Sequence, residues 1–260
     1  GPEVRRFEDA WSNKFGFRHA ISVNSATTGL MTAVGALGVE PGDEVIVTPY
    51  SMSASATVAL FYGGIPVFAD LDPENNCLDP KSIEERITSR TKAIIVVHLF
   101  GHPADMDRIL AVAKPRGIKV IEDAAQAPGV LYKGRPVGGI GDIGCFSLNY
   151  HKHIHAGEGG IVVTNDDDIA LRARLIRNHG ENAFEAYGIT DIGNLIGSNY
   201  RLTELQAAIA NEQLKRLDDI LGHRQELAGY MTERLAVLDG ITPQRISSLH
   251  THAYYLFPVR

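Results

Sequence analysis

Apolar, β-branched runs recur along the chain, and a segment of helical character follows each. "AISV" (20–23) precedes "ATTGLMTAVGAL", "EVIVTP" (44–49) precedes "SASATVALFYGG", and "PVFADLD" (66–72) precedes "DPKSIEERI". "AIIVVHLF" (93–100) precedes "PADMDRILAVAKPRG", and "KVIEDA" (119–124) comes after that segment. The runs are nearly continuous in apolar character, the pattern of strands buried on both faces. Such strand–helix alternation predicts a parallel sheet flanked by helices, an α/β fold. "IGCFSLN" (143–149) and "GGIVVTN" (159–165) break the rhythm. The gap between them is too short for a crossover helix, so the second strand is predicted antiparallel to the first. From 201 to 238 apolar residues recur at helical spacing, which predicts long amphipathic helix broken or bent near Gly222. The closing "HTHAYYLFPVR" alternates like a strand in progress, and the chain opens on glycine rather than methionine. Both ends read as those of a fragment.

Composition narrows the classes. The chain has 260 residues, 44% hydrophobic and 22% charged, which is ordinary for a folded globular protein and argues against disorder. Its net charge is −6 and no basic block is long enough for a nucleic-acid surface, so that partner is set aside. No apolar run has the length of a membrane span, and no signal-peptide pattern opens the chain. The only two cysteines, Cys77 and Cys145, give no disulfide framework and fit a reducing, cytoplasmic setting.

The densest chemistry lies in "NYHKHIHAGEGG" (149–160). His151, His153 and His155 alternate, so an extended strand would place them on one face as an open zinc site. No acidic ligand motif accompanies them, and solvated or hydrogen-bonding histidines are the plainer reading. Lys152 lies between an apolar strand and a glycine-rich turn, at the edge where open α/β sheets bind ligands. Burial there favours the neutral amine, a nucleophile toward aldehydes, and pyridoxal phosphate is the common aldehyde cofactor. That cofactor needs a carboxylate at its ring nitrogen. Asp123 ends a buried strand in "VIEDAAQ", whereas Glu122 points to the opposite face and reads as structural. The phosphate needs helix-start N–H groups and hydroxyls, which Ser25, Thr27 and Thr28 in "NSATTGL" supply, although they read equally as a helix cap. Ser147 precedes Lys152 by an odd number of positions, so the two converge only if the chain turns between them.

These motifs resemble the DegT/DnrJ-type sugar aminotransferases, fold type I enzymes that use pyridoxal phosphate. "CFSLNYHKHIHAGEGGIVVTN" carries the family's Phe-Ser, lysine and Gly-Glu-Gly-Gly signature. "GPEVRRFEDAWSNKFGFRHAISVNSATTGL", "GGIPVFADLDPE", "TKAIIVVHLFGHPADMD", "VIEDAAQAPG" and "GSNYRLTELQAAI" follow in the family's order. The resemblance implies a three-layer α/β fold with one antiparallel strand in a mostly parallel sheet. It implies that Lys152 forms the Schiff base and shuttles the proton. Asp123 would pair with the pyridinium nitrogen and Gln126 would lie near the ring hydroxyl. Ala26, Thr27 and Ser147 would hold the phosphate. Asn199 would reach the cofactor of a neighbouring subunit, which implies a homodimer with shared sites. The amino donor would be glutamate or glutamine and the acceptor a keto sugar, nucleotide-linked, with a keto-inositol as a variant.

Three positions depart from the family pattern. Ala26 stands where glycine is usual, Met52 where an aromatic ring stacks on the pyridine, and Pro128 where a small residue or histidine is common. Methionine packs against the ring through its polarizable sulfur. Lys152 separates the chain from a sister branch of dehydratases that has histidine there. Family members extend further on the C-terminal side. Residues 1–235 are therefore expected to form the large cofactor domain, and 236–260 the start of a small α+β domain. The rival readings are a non-catalytic regulator on the same fold and a histidine-based metal protein.

Overall fold

Each apolar run of the strand–helix alternation contains a strand, as do 143–149 and 159–165. The computed structural model describes residues 1–180 and 195–260. Its strands are β1 (His19–Val23), β2 (Glu44–Val47), β3 (Ile65–Phe68), β4 (Thr91–Val97), β5 (Lys119–Asp123), β6 (Leu131–Tyr132), β7 (Arg135–Pro136), β8 (Ile143–Ser147) and β9 (Gly160–Thr164). Seven of them make one sheet in the order β1-β9-β8-β5-β4-β2-β3, and β6 and β7 form a small separate ribbon. The pairs β2–β3, β2–β4, β4–β5 and β5–β8 are parallel, while β9 runs antiparallel to both β8 and β1. β9 is thus the single reversed strand of the main sheet, as the short β8–β9 connection required.

The helices are α1 (Pro2–Phe15), α2 (Ala26–Ala36), α3 (Ala54–Thr57), α4 (Pro80–Arg86), α5 (Met106–Ala113), α6 (Asp167–Arg177), α7 (Glu204–Leu214) and α8 (Leu217–Leu235). They cover both faces of the sheet. Ile94, Val96, Val120 and Phe146 face a core completed by α1, α5, α7 and α8. Their alternate neighbours Ala93, Ile95, Ile121 and Cys145 face a second core with α2 and α6. The period-2 alternation of strand side chains is what splits the apolar residues into two cores and three layers. α2 is apolar nearly all round because it is enclosed, with Gly29 to Ala36 all buried. Gly29 lets it approach the sheet: a side chain there would run into Cys145 Sγ.

Three expectations are corrected. The long helical segment breaks at Lys215–Arg216, between α7 and α8, and not at Gly222. Leu214 and Leu217 flank that break and both enter the core. Gly222 stays helical, and each glycine inside a helix costs only about 1 kcal/mol. The final segment is not a strand. Its β-bridges are isolated ones, His250 with Tyr132 and Val259 with Pro243. Left-handed Tyr254 (φ 47°) and Pro258 interrupt any ladder. β3 is not buried on both faces: it is an edge strand that leaves Ile65 and Phe68 exposed.

Candidate active site

The C-terminal ends of β5 and β8 and the N-terminal end of α2 open onto one cavity of about 460 Å³. This is the sheet edge where ligands of open α/β folds bind. Ala26, Thr27, Met52, Asp123, Gln126, Ser147 and Lys152 all line it. Asn199 does not. It is exposed, its backbone bridges Asn178, and its carbonyl accepts from Asn24 Nδ2 at 3.1 Å.

Lys152 sits in a closed loop between β8 and β9. Leu148 N donates to Gly159 O and Tyr150 N to Gly157 O, both at 2.9 Å. Within the loop the chain turns, with Lys152 N donating to Asn149 O at 2.8 Å. Gly157 takes φ 81°, a left-handed conformation that glycine adopts without strain. The turn is the one needed for Lys152 and Ser147 to reach the same cavity. Burial pushes the Lys152 amine below the usual lysine range, and the Asp123 carboxylate acts in the opposite direction. The amine lies 4.3 Å from the centroid of the Tyr255 ring.

Asp123 is buried at the end of β5. Its Oδ2 accepts from Ser55 Oγ at 2.7 Å and its Oδ1 from Ala125 N at 3.1 Å. Glu122, on the other face, is consumed by structure. Its carboxylate accepts from Gly138 N, Ile140 N, Gly141 N and His98 Nε2. Gln126 Oε1 accepts from Phe100 N at 2.6 Å, which fixes the amide orientation and leaves its NH₂ as the free donor group. Ser147 Oγ accepts from Asn149 N at 3.3 Å, so its O–H remains a donor.

At the start of α2 the Ser25 hydroxyl caps Thr28 N at 3.1 Å. The cap reading of Ser25 is therefore correct. The N–H groups of Ala26 and Thr27, the first two helical residues, point out of the helix end without intrahelical acceptors. Ala26 lines the cavity, and unlike proline it keeps its backbone N–H. Gly160 makes room for the turn, since a side chain there would strike the Ser25–Ala26 peptide.

The histidines diverge. His151 is exposed at the cavity, with its ring 3.8 Å from that of Tyr150. His153 is buried and its Nε2 meets Ala253 O at 2.8 Å. The segment is a turn and not the extended strand that a shared metal face demands. Among the described residues no three His, Cys, Asp or Glu side chains gather as a metal site.

Sequence reasoning missed Ser55 and Tyr255. Ser55 was one of several small hydroxyl residues in "SMSASATVAL", and nothing in the spacing singles it out. Tyr255 was read only as part of an alternating run.

The fold and the lysine–carboxylate cavity at its sheet edge define a fold type I aminotransferase scaffold. The chain belongs to the DegT/DnrJ/EryC1/StrS aminotransferase family, whose sequence profile matches residues 1–260. It is 41% identical to the GDP-perosamine synthase of Caulobacter vibrioides, over 100% of this chain and 69% of that protein. It is 40% identical to the L-glutamine:2-deoxy-scyllo-inosose aminotransferase of Streptomyces fradiae, over 98% of this chain and 62% of that protein. A crystal structure of DesI in the presence of its TDP-sugar product superposes with a TM-score of 0.90 at 34% identity, covering 100% of this chain and 64% of that one. The chain thus spans about two thirds of the length of these relatives. Among the described residues, no helix is long and apolar enough to cross a membrane.

Proposed function

We propose that the chain binds pyridoxal 5'-phosphate at Lys152 and moves an amino group from glutamate or glutamine to a nucleotide-linked keto sugar. The observation that carries this reading is the convergence of Lys152, Asp123 and the α2 N-terminus on one cavity. The donor set fits the cofactor part by part. The Ala26 and Thr27 N–H groups and the Ser147 hydroxyl suit a phosphate, favoured further by the helix dipole. Asp123, buried and already ordered by Ser55 and Ala125, suits a protonated ring nitrogen. The Gln126 NH₂ suits a ring oxygen, and Met52 offers its thioether to a ring face. Bound there, pyridoxal phosphate supplies an aldehyde that takes up amines and a ring that withdraws electrons.

The chain's own residues do the rest. Lys152, held by its turn, presents Nζ as the group that takes and returns a proton. Burial lowers its basicity and so raises the share of neutral amine above that of an ordinary lysine. Asp123 keeps the ring nitrogen protonated through an ion-paired hydrogen bond. Exposed Asn199 is offered to the site of a second copy in a homodimer. Residues 236–260 begin a further domain that shapes the acceptor pocket. The names of the relatives support the acceptor class: one acts on a deoxy-inosose with glutamine, and another was solved with a TDP-sugar. They favour a cyclitol ketone as the second acceptor class.

The test is a visible spectrum with pyridoxal phosphate, before and after borohydride, beside Lys152→Ala. The expected result is a yellow band, fixed covalently to the Lys152 peptide by reduction and missing in the variant. A folded protein that gives no band would overturn the aminotransferase reading and leave the regulator reading in its place.

A further inference from the structure

The cavity wall beside Lys152 comes from the far end of the chain. Tyr255 lines the same cavity, and its ring face lies against the Lys152 amine at 4.3 Å. The segment that carries it is pinned at close intervals. Thr251 N donates to Leu131 O, Ala253 N to Gly101 O at 3.0 Å, and Tyr255 N to Phe100 O at 2.8 Å. Arg224 Nη1 donates to Tyr254 O at 2.9 Å, and the left-handed backbone of Tyr254 turns the next residue inward. Two of the pins originate at the site itself. His153, the residue after Lys152, holds Ala253 O. Gln126 holds Phe100 N, and with it the left-handed turn that receives Tyr255. His153 therefore ties the segment that bears the ring to the loop that places the amine.

A lysine that works in a cavity faces opposing demands. It has to be a neutral nucleophile, and it has to hold a proton when it acts as an acid. Burial alone removes the charge. The groups facing Lys152 are Asp123, His153, Tyr255 and, at the cavity mouth, Tyr150, His151 and Glu158. Asp123 is committed to Ser55 and Ala125, and buried His153 faces Ala253 O. The Asp123 charge still favours the ammonium, and the group in direct contact with the amine is the aromatic face. Such a face attracts an ammonium without supplying a base that would strip its proton.

We propose that Tyr255 is the positioning residue of Lys152: its ring face holds the protonated amine in the cavity and sets the balance between ammonium and amine. The proposal rests on the reading of Lys152 as the cofactor lysine, and adds the ring to Asp123 as a group that favours its protonated form.

The experiment is competitive labelling of Lys152 in the cofactor-free chain with an amine-reactive reagent across pH 7–11, read by peptide mass spectrometry. It compares Tyr255→Phe with Tyr255→Leu. Tyr255→Phe keeps the face and is expected to titrate like the parent. Tyr255→Leu is expected to lower the midpoint by about half to one pH unit, so that Lys152 labels about 3–10-fold more at neutral pH. Equal midpoints in the two variants would overturn the proposal, as would an equal shift in both, which would assign the effect to the hydroxyl. If Tyr255→Leu does not fold, trifluorophenylalanine in place of phenylalanine at 255 weakens the face without changing its shape. The midpoint must then fall, and an unchanged value overturns the proposal. Borohydride fixation of pyridoxal phosphate on the same preparations is read separately. Its failure would overturn the cofactor reading, whereas the labelling result alone judges the ring.

Discussion

Glu122→Gln isolates the most concentrated hydrogen-bonding in the fold. The carboxylate is fully buried and accepts four N–H groups. Oε1 takes Ile140 N and Gly141 N, both at 2.6 Å; Oε2 takes Gly138 N at 2.7 Å and His98 Nε2 at 2.9 Å. Glutamine keeps the shape but turns one oxygen into an NH₂. Either orientation sets that NH₂ against two donors. A tautomer switch in His98 gives no relief, because its Nδ1 accepts from Ala104 N at 3.1 Å and the conflict would move there. Two charge-assisted hydrogen bonds are lost, each worth about 1.5–3 kcal/mol. The sum, about 3–6 kcal/mol, is a large part of the 5–15 kcal/mol that typically holds a domain. Urea unfolding is the assay: the midpoint should fall sharply with an unchanged m-value. Pyridoxal phosphate should still bind the folded fraction, since Glu122 faces away from the cavity. A loss below about 1 kcal/mol would refute the reasoning, because no arrangement of an amide accepts from four donors.

Further outcomes follow from the site and the core. Asp123→Asn should weaken pyridoxal phosphate binding about 10–100-fold in an absorbance titration, the equivalent of one charge-assisted hydrogen bond; unchanged affinity would contradict its role. Gly29→Ala should destabilise by about 1–3 kcal/mol through overpacking against Cys145 Sγ, and Cys145→Ala in the same chain should recover most of it. Acid should loosen the final segment. Burial lowers His102 and His153 to about 4 and His252 to about 3, from an ordinary 6.5. Below pH 6.5 the unfolded chain therefore binds more protons than the folded one, and stability falls as pH drops toward 4. The loss is about 1–2 kcal/mol per histidine at pH 5, and His252→Asn should flatten the profile of urea midpoint against pH.

The sheet was legible because strands buried on both faces have to be apolar throughout. "AIIVV" and "GIVVT" admit no other placement, and the short β8–β9 link forced one reversal. Edge strand β3 shares that composition, so its exposure could not be read from it. The break between α7 and α8 was misplaced because glycine marks a weak propensity, while the position of the break is set by Leu214 and Leu217 reaching the core from two directions. Asp123 and Lys152 were legible as chemistry placed where strands end. Ser55, 68 residues before Asp123 in sequence, was not, since only the tertiary fold brings the two side chains together.

The histidine triplet shows why the same spacing argument succeeds at one place and fails at another. Alternation puts residues on one face only while φ and ψ stay extended. At Asp123 and Glu122 they do, and the two carboxylates separate cleanly into a cavity group and a structural group. Two residues past Ser147 they do not. The loop closes on itself through Leu148–Gly159 and Tyr150–Gly157, and the amide of Lys152 folds back on Asn149. That curvature sends His151 to the cavity mouth and buries His153 against Ala253, so the metal face dissolves. It also aims Lys152 into the cavity entered by Ser147 and Asp123. The same turn therefore removes the support for a metal site and supplies the geometry for an amine, and His153 becomes the tie between that amine and the segment bearing Tyr255.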